Sequence, residues 1–303
     1  MEGRKVSYEG YGLLHGNYYA LLPNQQVMLE DTIRTGIYQS AVINNIADFA
    51  DKVVLDVGTG TGILSFFAAQ AGARKVYAVE ATAMSEFAKA LVEANGLSDR
   101  IEVMNTKIED LELPEKVDVI ISEPMGVLLV HERMLEPYVM ARTRWLKPGG
   151  KMFPSIGRIF LAPFSDSYLY TSTFGKSRFW EQKSFFGVDI SSLETIAREQ
   201  YFSRPVVGPV DPNILMAAPA EHEVDFNSVT RKELIRFDID FSFVAASTGI
   251  VHGLAGWFDV SFEGSALKER LTTSPHGQGT HWHQIRFIFQ QPLAMNDGQC
   301  LSG

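Results

Sequence analysis

Glu123 and Glu132 flank a turn-forming Pro124-Met125-Gly126 and the apolar run Val127–Val130. Two carboxylates in one loop suit either of two chemistries. One is acid/base hydrolysis of a glycoside, which needs a sugar groove and one acid of raised pKa. The other is the grip of a cation. A planar guanidinium presents five N–H donors, which carboxylates hold through paired, charge-assisted hydrogen bonds. Two acids can fix one terminal nitrogen in line with an electrophile. They can also draw positive charge toward the other nitrogens, leaving the reacting one more lone-pair character. Neighbouring acids raise one another's pKa, whereas a bound cation opposes that rise. Alone, the same glutamates would read as a solvated loop or a helix cap, so the choice rests on what accompanies them.

The second constellation is VLDVGTGTGILS, residues 54–65. It joins an apolar strand, a glycine turn and the start of a helix. Gly58, Gly60 and Gly62 permit tight backbone geometry and close approach of a ligand. The carboxyl edge of such a sheet is where a ligand is expected. Glu80, ending the next strand, has two oxygens for the two hydroxyls of a ribose. A dinucleotide fingerprint would need glycine where Ile63 stands. Preceded by Asp56, the triplet fits an adenosyl-sulfonium cofactor instead, which has no pyrophosphate to cradle. Asn105–Asp110 could hold the adenine, with Glu109 accepting from its exocyclic amine, and would equally serve as a solvated turn.

These residues need a scaffold of alternating strands and helices. Residues 24–47 have apolar positions at helical spacing and predict one or two helices. Lys52–Val57, Val76–Glu80, Ile101–Met104 and Val117–Ile121 read as strands. A helix over 63–72 should stop at Gly72, and another should cover Met84–Asn95. Alternation of this kind predicts a doubly wound, mostly parallel sheet to about Pro154. Beyond it Arg158–Leu161, His222–Phe226, Leu234–Phe243, Ile250–Phe262 and His281–Gln290 read as strands of an antiparallel barrel or sandwich. Asp166–Tyr201 is rich in aromatic residues and could be core, or a projection buried against another subunit.

The bulk numbers narrow the class. A chain of 303 residues with 46% hydrophobic content can bury more than one domain. Its charge of −9, from 27 basic against 36 acidic residues, argues against direct nucleic-acid binding and suits a cationic partner. No membrane span or secretory signal is legible. A single cysteine, Cys300, cannot form an intrachain disulfide, so a reducing compartment is expected.

Taken together, VLDVGTGTGILSFFAAQAGARKVYAVEA, SEPMGVLLVHERMLE, KMFPSIGRIFLAPF and the Thr-His-Trp at 280–282 resemble the protein arginine methyltransferases. FFGVDISSL and HGLAGWFDVSF bring the likeness closest to the coactivator-associated, histone-arginine branch of type I. The resemblance runs from residue 24 to 303. It implies an α/β plus β fold: a class I, Rossmann-like methyltransferase domain over 48–154, and a C-terminal β-barrel over 155–303. An N-terminal helical segment, 1–47, would cover the cofactor, and about 166–201 would form a dimerisation arm. The cofactor would be S-adenosylmethionine, leaving as S-adenosylhomocysteine, with no metal. Products would be monomethyl- and asymmetric dimethylarginine on histone tails and on RNA-binding or splicing proteins. A homodimer, without membrane or direct nucleic-acid contacts and resident in nucleus and cytoplasm, is what the likeness implies.

Carried over by motif, Glu123 and Glu132 are the double-glutamate pair. Arg34 would meet the cofactor's amino-acid carboxylate, and Glu80 its ribose. Lys107, Ile108 and Glu109 would border the adenine, with Asp56, Gly58, Gly60, Gly62 and Met28 completing the cofactor site. Tyr19, Met125, Met134 and Trp282 would line the substrate pocket, and His281 would pair with Asp31 near the acids. Two departures stand out. The family's Tyr-Phe-x-x-Tyr element reads His15-Gly16-Asn17-Tyr18-Tyr19 here, and family members continue past the Leu-Ser-Gly at 301–303, so a truncated barrel is expected. An alternative function is therefore a weakly active or inactive homologue acting as a dimeric interaction protein. A dehydrogenase and a small-molecule methyltransferase fit less well, since neither uses the acid pair.

Overall fold

The computed structural model describes residues 18–303. The His15-Gly16-Asn17 departure lies outside them. The described residues divide into two compact units, one made of residues 18–157, 223–237 and 259–272, the other of 158–222, 238–258 and 273–303.

From Leu22 on, the first unit carries helices α1 (Leu22–Glu30), α2 (Thr32–Ile43) and α3 (Ile46–Phe49). Asp31 separates the first two and caps α2, accepting from the Arg34 N–H at 2.9 Å, as a short acceptor side chain does for an orphan N–H. Then come β1 (Val53–Val57), α4 (Ile63–Gln70), β2 (Lys75–Glu80), α5 (Met84–Ala94), β3 (Ile101–Asn105), β4 (Val117–Ser122), α6 (Leu135–Trp145) and β5 (Leu146–Phe153). The five strands form a parallel sheet in the order β3-β2-β1-β4-β5. Every residue of β1 is buried, the pattern of a strand covered on both faces.

The order reverses between β1 and β4, so the loops leaving their carboxyl ends part around a crevice. Val57 pairs with Ser122, so Gly58 and Glu123 leave the sheet side by side. Sheet topology alone brings the glycine turn and the acid loop together.

Later strands are β6 (Ile156–Phe164), β7 (Val206–Gly208), β8 (Ala220–Asp225), β9 (Ser242–Val244), β10 (Gly249–Glu263), β11 (Lys268–Thr272), β12 (Gln284–Met295) and β13 (Cys300–Ser302). They run in the order β7-β12-β10-β6-β8, with β11 on β10 and a separate β9–β13 pair. The division between units falls inside β6, β8 and β10. In the second unit Phe160, Ala162, Phe164, Trp257 and Ile288 form a core that Tyr170, Phe174 and Val206 flank. Its helices are α7 (Ser167–Ser177) and α8 (Glu194–Phe202). They lie in the aromatic segment 166–201, where Tyr168 and Phe186 are 85% and 92% exposed.

Two expected strands need correction. Leu234–Phe243 is not one strand: α9 (Arg231–Ile235) begins it, and only Ser242–Val244 is extended into a ladder. Thr230 and Glu233 form a capping box that commits the chain to a helical turn. The strand expected from His281 begins at Gln284. Before it, Thr280 to His283 form a turn closed by the His283 N–H on the Thr280 carbonyl at 3.2 Å.

Candidate active site

The glycine turn is built from beneath. Asp56 is fully buried, and one of its oxygens accepts from the hydroxyls of Thr59 at 2.6 Å and Ser65 at 2.7 Å. It thereby ties the turn to the first residues of α4. Burial raises its pKa to about 6, against the pull of those two hydroxyls. Gly58, Gly60 and Gly62 all have positive φ, at 70°, 55° and 91°, which only glycine adopts without penalty. A Cβ on Gly60 would also come within 2.7 Å of Gln25 Oε1. Glu80 is buried beside this turn, accepting from the N–H of Gly60 at 3.0 Å and of Thr82 at 2.9 Å. A carboxylate has about four lone-pair sites, so Glu80 keeps acceptor capacity for a diol. Turn and acid fit a nucleoside-type cofactor.

The expected adenine side, Lys107-Ile108-Glu109, follows β3. Ile108 is buried, while Lys107 and Glu109 are exposed. Arg144 holds this stretch through the carbonyls of Ile108, Glu109 and Leu111, at 3.4, 2.6 and 3.1 Å.

The acid loop leaves β4 at Glu123. Leu128, Leu129, Glu132 and Arg133 all lie at positive φ, a conformation that costs a side chain about 1 kcal/mol or more each. The loop folds tightly back: the Gly126 N–H donates to Leu129 O at 3.2 Å and the His131 N–H to Val127 O at 3.2 Å. Behind it, buried Glu136 accepts from Arg133 Nε at 2.6 Å and from Arg231 Nε at 3.0 Å.

Glu123 Oε2 accepts from Arg34 Nε at 3.2 Å and Nη2 at 3.0 Å, and Oε1 from the Met125 N–H at 3.2 Å. The Tyr19 hydroxyl lies 3.1 and 3.2 Å from the two Glu132 oxygens. Glu132 has its pKa pushed up to about 7, chiefly by burial; the Tyr19 hydrogen bond pulls it down and the Glu123 charge adds to the rise. The two acids therefore act on one another, and the loop already holds one guanidinium.

Of the remaining expected residues, Met28 offers its carbonyl to Arg34 Nη1 at 3.4 Å. The Met134 methyl lies 3.4 Å from where a Gly58 Cβ would stand, and Met125 is buried. Met28, Asp31, Arg34, Glu123, Met125, Glu132 and Met134 thus belong to the first unit with the glycine turn. His281 and Trp282 belong to the second, their rings 3.9 Å apart at the centroids, with Trp282 edge-on to Phe258. Among the described residues, no three His, Cys, Asp or Glu side chains gather as a metal site.

Sequence reasoning missed Gln25, Tyr38, Thr59, Ser65, Ser122, Glu136 and Arg144. Only Tyr38 carried a signal: it follows Arg34 by one helical turn, the spacing that puts two side chains on one face. Thr59 and Ser65 act locally on Asp56, three and nine residues away, whereas Ser122, Glu136 and Arg144 act through contacts across the sheet or between segments far apart in the chain.

Comparison with known proteins gives the family of the chain. Residues 155–303 match the family model described as the arginine methyltransferase oligomerization subdomain, and residues 54–150 match a methyltransferase domain. A probable histone-arginine methyltransferase CARM1 of Oryza sativa subsp. indica is 53% identical over 96% of this chain and 55% of its own length. The chain thus spans about half the length of the curated relatives it matches. Among solved structures, protein arginine methyltransferase 10 of Arabidopsis thaliana aligns with a TM-score of 0.86 at 38% identity, covering 94% of this chain and 87% of its own. The Trypanosoma brucei PRMT1 enzyme-prozyme complex with AdoHcy gives 0.85 at 34% identity, with the same coverages.

Proposed function

The chain belongs to the protein arginine methyltransferase family, and on that premise we propose that it transfers methyl groups from S-adenosylmethionine to guanidino nitrogens of arginine in proteins, histones among them. The observation that carries this reading is the acid loop. Glu123 already accepts two N–H bonds from a guanidinium, and its electrostatic partner Glu132 sits in the same loop.

The cofactor supplies an electrophilic methyl on a sulfonium. Gly58, Gly60 and Gly62 would bed it, Glu80 would accept from its ribose hydroxyls, and the 107–109 stretch would border its adenine. Arg34 is assigned its amino-acid carboxylate. Glu123 and Glu132 then hold the substrate guanidinium and draw its charge away from the reacting nitrogen. The incoming cation favours ionised Glu132, lowering a pKa that burial had raised. Met28, Met125 and Met134 set how much bulk the reacting nitrogen can carry, hence monomethyl and then asymmetric dimethyl products. Tyr19 orients Glu132, and Asp31 sets the start of the helix that carries Arg34. His281 and Trp282 are assigned to the substrate arginine on the Thr-His-Trp motif alone.

Partners follow from the same reading: histone tails, RNA-binding or splicing proteins, and a second copy met through residues 166–201. The acidic balance supports cationic protein substrates over direct nucleic-acid binding, and residence in nucleus and cytoplasm follows from such substrates. The test is mass analysis of an arginine-rich histone-tail peptide after incubation with the chain and S-adenosylmethionine, with Glu123→Gln as control. Stepwise gain of one and two methyl masses on arginine, lost in the control, supports the proposal. No gain with demonstrated cofactor binding on any such peptide favours a non-catalytic, dimeric role.

A further inference from the structure

We propose that Tyr38 and Ser122 form a two-hydroxyl latch that fixes Glu123 against the glycine turn, making both of them positioning residues for the transfer. The inference rests on the function proposed above and concerns how its two halves are held in register.

Both side chains are fully buried. A phenylalanine and an alanine would fill nearly the same space without carrying a hydroxyl out of water, a transfer that is unfavourable unless the group is bonded. Each hydroxyl has a specific backbone partner. Tyr38 Oη donates to the Ser122 carbonyl at 2.8 Å, the last peptide oxygen before Glu123. Ser122 Oγ donates to the Val57 carbonyl at 2.6 Å, the last peptide oxygen before Gly58. Val57 and Ser122 are themselves paired across β1 and β4. The Ser122 bond therefore ties the point where the acid loop leaves the sheet to the point where the glycine turn leaves it, and the Tyr38 bond fastens α2 to that same junction.

Tyr38 reaches Glu123 from a second side. Its ring lies 5.8 Å from the Arg34 guanidinium carbon, within range of a cation–π contact, and that guanidinium holds the Glu123 carboxylate. The hydroxyl is also 3.7 Å from Met125 Sδ, just past Glu123. Phe262 backs the ring edge-on at 4.9 Å. One side chain thus sets both the backbone ahead of the acid and the cation that orients its carboxylate. A simple core residue would need neither bond.

The experiment compares the full chain with Tyr38→Phe, Ser122→Ala and the double variant. Because a misplacement of about 1 Å can cost as much as a hundredfold in rate, we expect kcat on a histone-tail peptide to fall by about tenfold in each single variant. KM for the peptide and the affinity for S-adenosylhomocysteine should stay within about threefold. The double variant should be little worse than either single, the mark of groups acting in one chain. Unchanged kcat in Tyr38→Phe overturns the latch, as do losses that merely follow the melting temperature. Crystal structures of the chain and of Tyr38→Phe decide the matter apart from activity. Displacement of the Glu123 carboxylate from Arg34 in the variant supports the latch, and an unmoved Glu123 refutes it. An inactive parent chain would defeat only the proposed function.

Discussion

At the residue scale, the site turns on a carboxyl whose proton is not held as in water. Glu132 is raised to about 7, chiefly by burial. Its ionised form is the one that can hold a guanidinium. We expect kcat/KM on an arginine peptide to climb as pH rises through about 7. The Tyr19 hydrogen bond favours the charged form, so Tyr19→Phe should move that climb to higher pH. Rate–pH profiles of the two proteins check both statements. The same shift has a stability consequence of definite sign. Between the ordinary glutamate range and about 7 the folded chain keeps a proton that the unfolded chain releases. This contribution is complete below that range and fades as pH rises toward 7. Glu132→Gln should flatten that part of a melting-temperature profile.

What was legible at this scale was legible because chemistry demanded it locally. Three glycines must adopt positive φ within one turn, and two acids must share one loop, so spacing along the chain reports them. Asp56 also stood out, yet its observed work is to hold Thr59 and Ser65 beneath the turn. The partners of Glu123 were legible only through the family motif for Arg34, and Ser122 not at all, since its bond to Val57 exists only once β1 and β4 are paired.

At the scale of elements, the acid loop is a short path bent by four residues at positive φ. Gly126 makes the bend possible: a Cβ there would stand 1.9 Å from the His131 carbonyl oxygen. Backbone on both sides cannot yield that distance without moving Glu132. We expect Gly126→Ala to abolish transfer while S-adenosylhomocysteine binding, measured by calorimetry, stays within a few fold. Loss of both would place the loop's influence on the glycine turn as well. The parallel strands were readable from sequence because burial on both faces leaves continuous apolar runs such as Val53–Val57. The run Leu234–Phe243 misled for a related reason. Its apolar alternation suggests a strand, but a ladder needs a partner, and only Ser242–Val244 finds one, in Cys300–Ser302. The Thr230–Glu233 capping box was visible in the sequence and would have argued for the helix.

At the scale of the whole molecule, aromatic side chains crowd segment 166–201. Phe179, Phe185 and Phe186 stack edge to face, with centroids 5.2 and 4.9 Å apart, and leave Phe186 outside. If this is the surface that meets a second copy, Phe186→Ser should shift sedimentation toward the monomer without lowering the melting temperature of the monomeric form. A second prediction concerns how distant stretches are bound into the first unit. Asn45, wholly buried, donates to the Ala41 and Leu267 carbonyls and accepts from the N–H groups of Ala266 and Leu267, all at 2.8–2.9 Å. Asn45→Ala strands several of these and should cost about 2–4 kcal/mol, read as a lower denaturation midpoint.

The first unit is not continuous in sequence: residues 223–237 and 259–272 complete it. On the ribosome this order matters. The glycine turn and both acids are made before residues 158–258, whereas Phe262, which backs Tyr38, and Leu267, which Asn45 binds, are made after them. The nascent chain must therefore carry an unfinished cofactor domain through the synthesis of residues 158–222 and 238–258. Its apolar sheet is covered meanwhile only by the helices already made, and Phe262 and Leu267 join it once residues 158–258 have been synthesised.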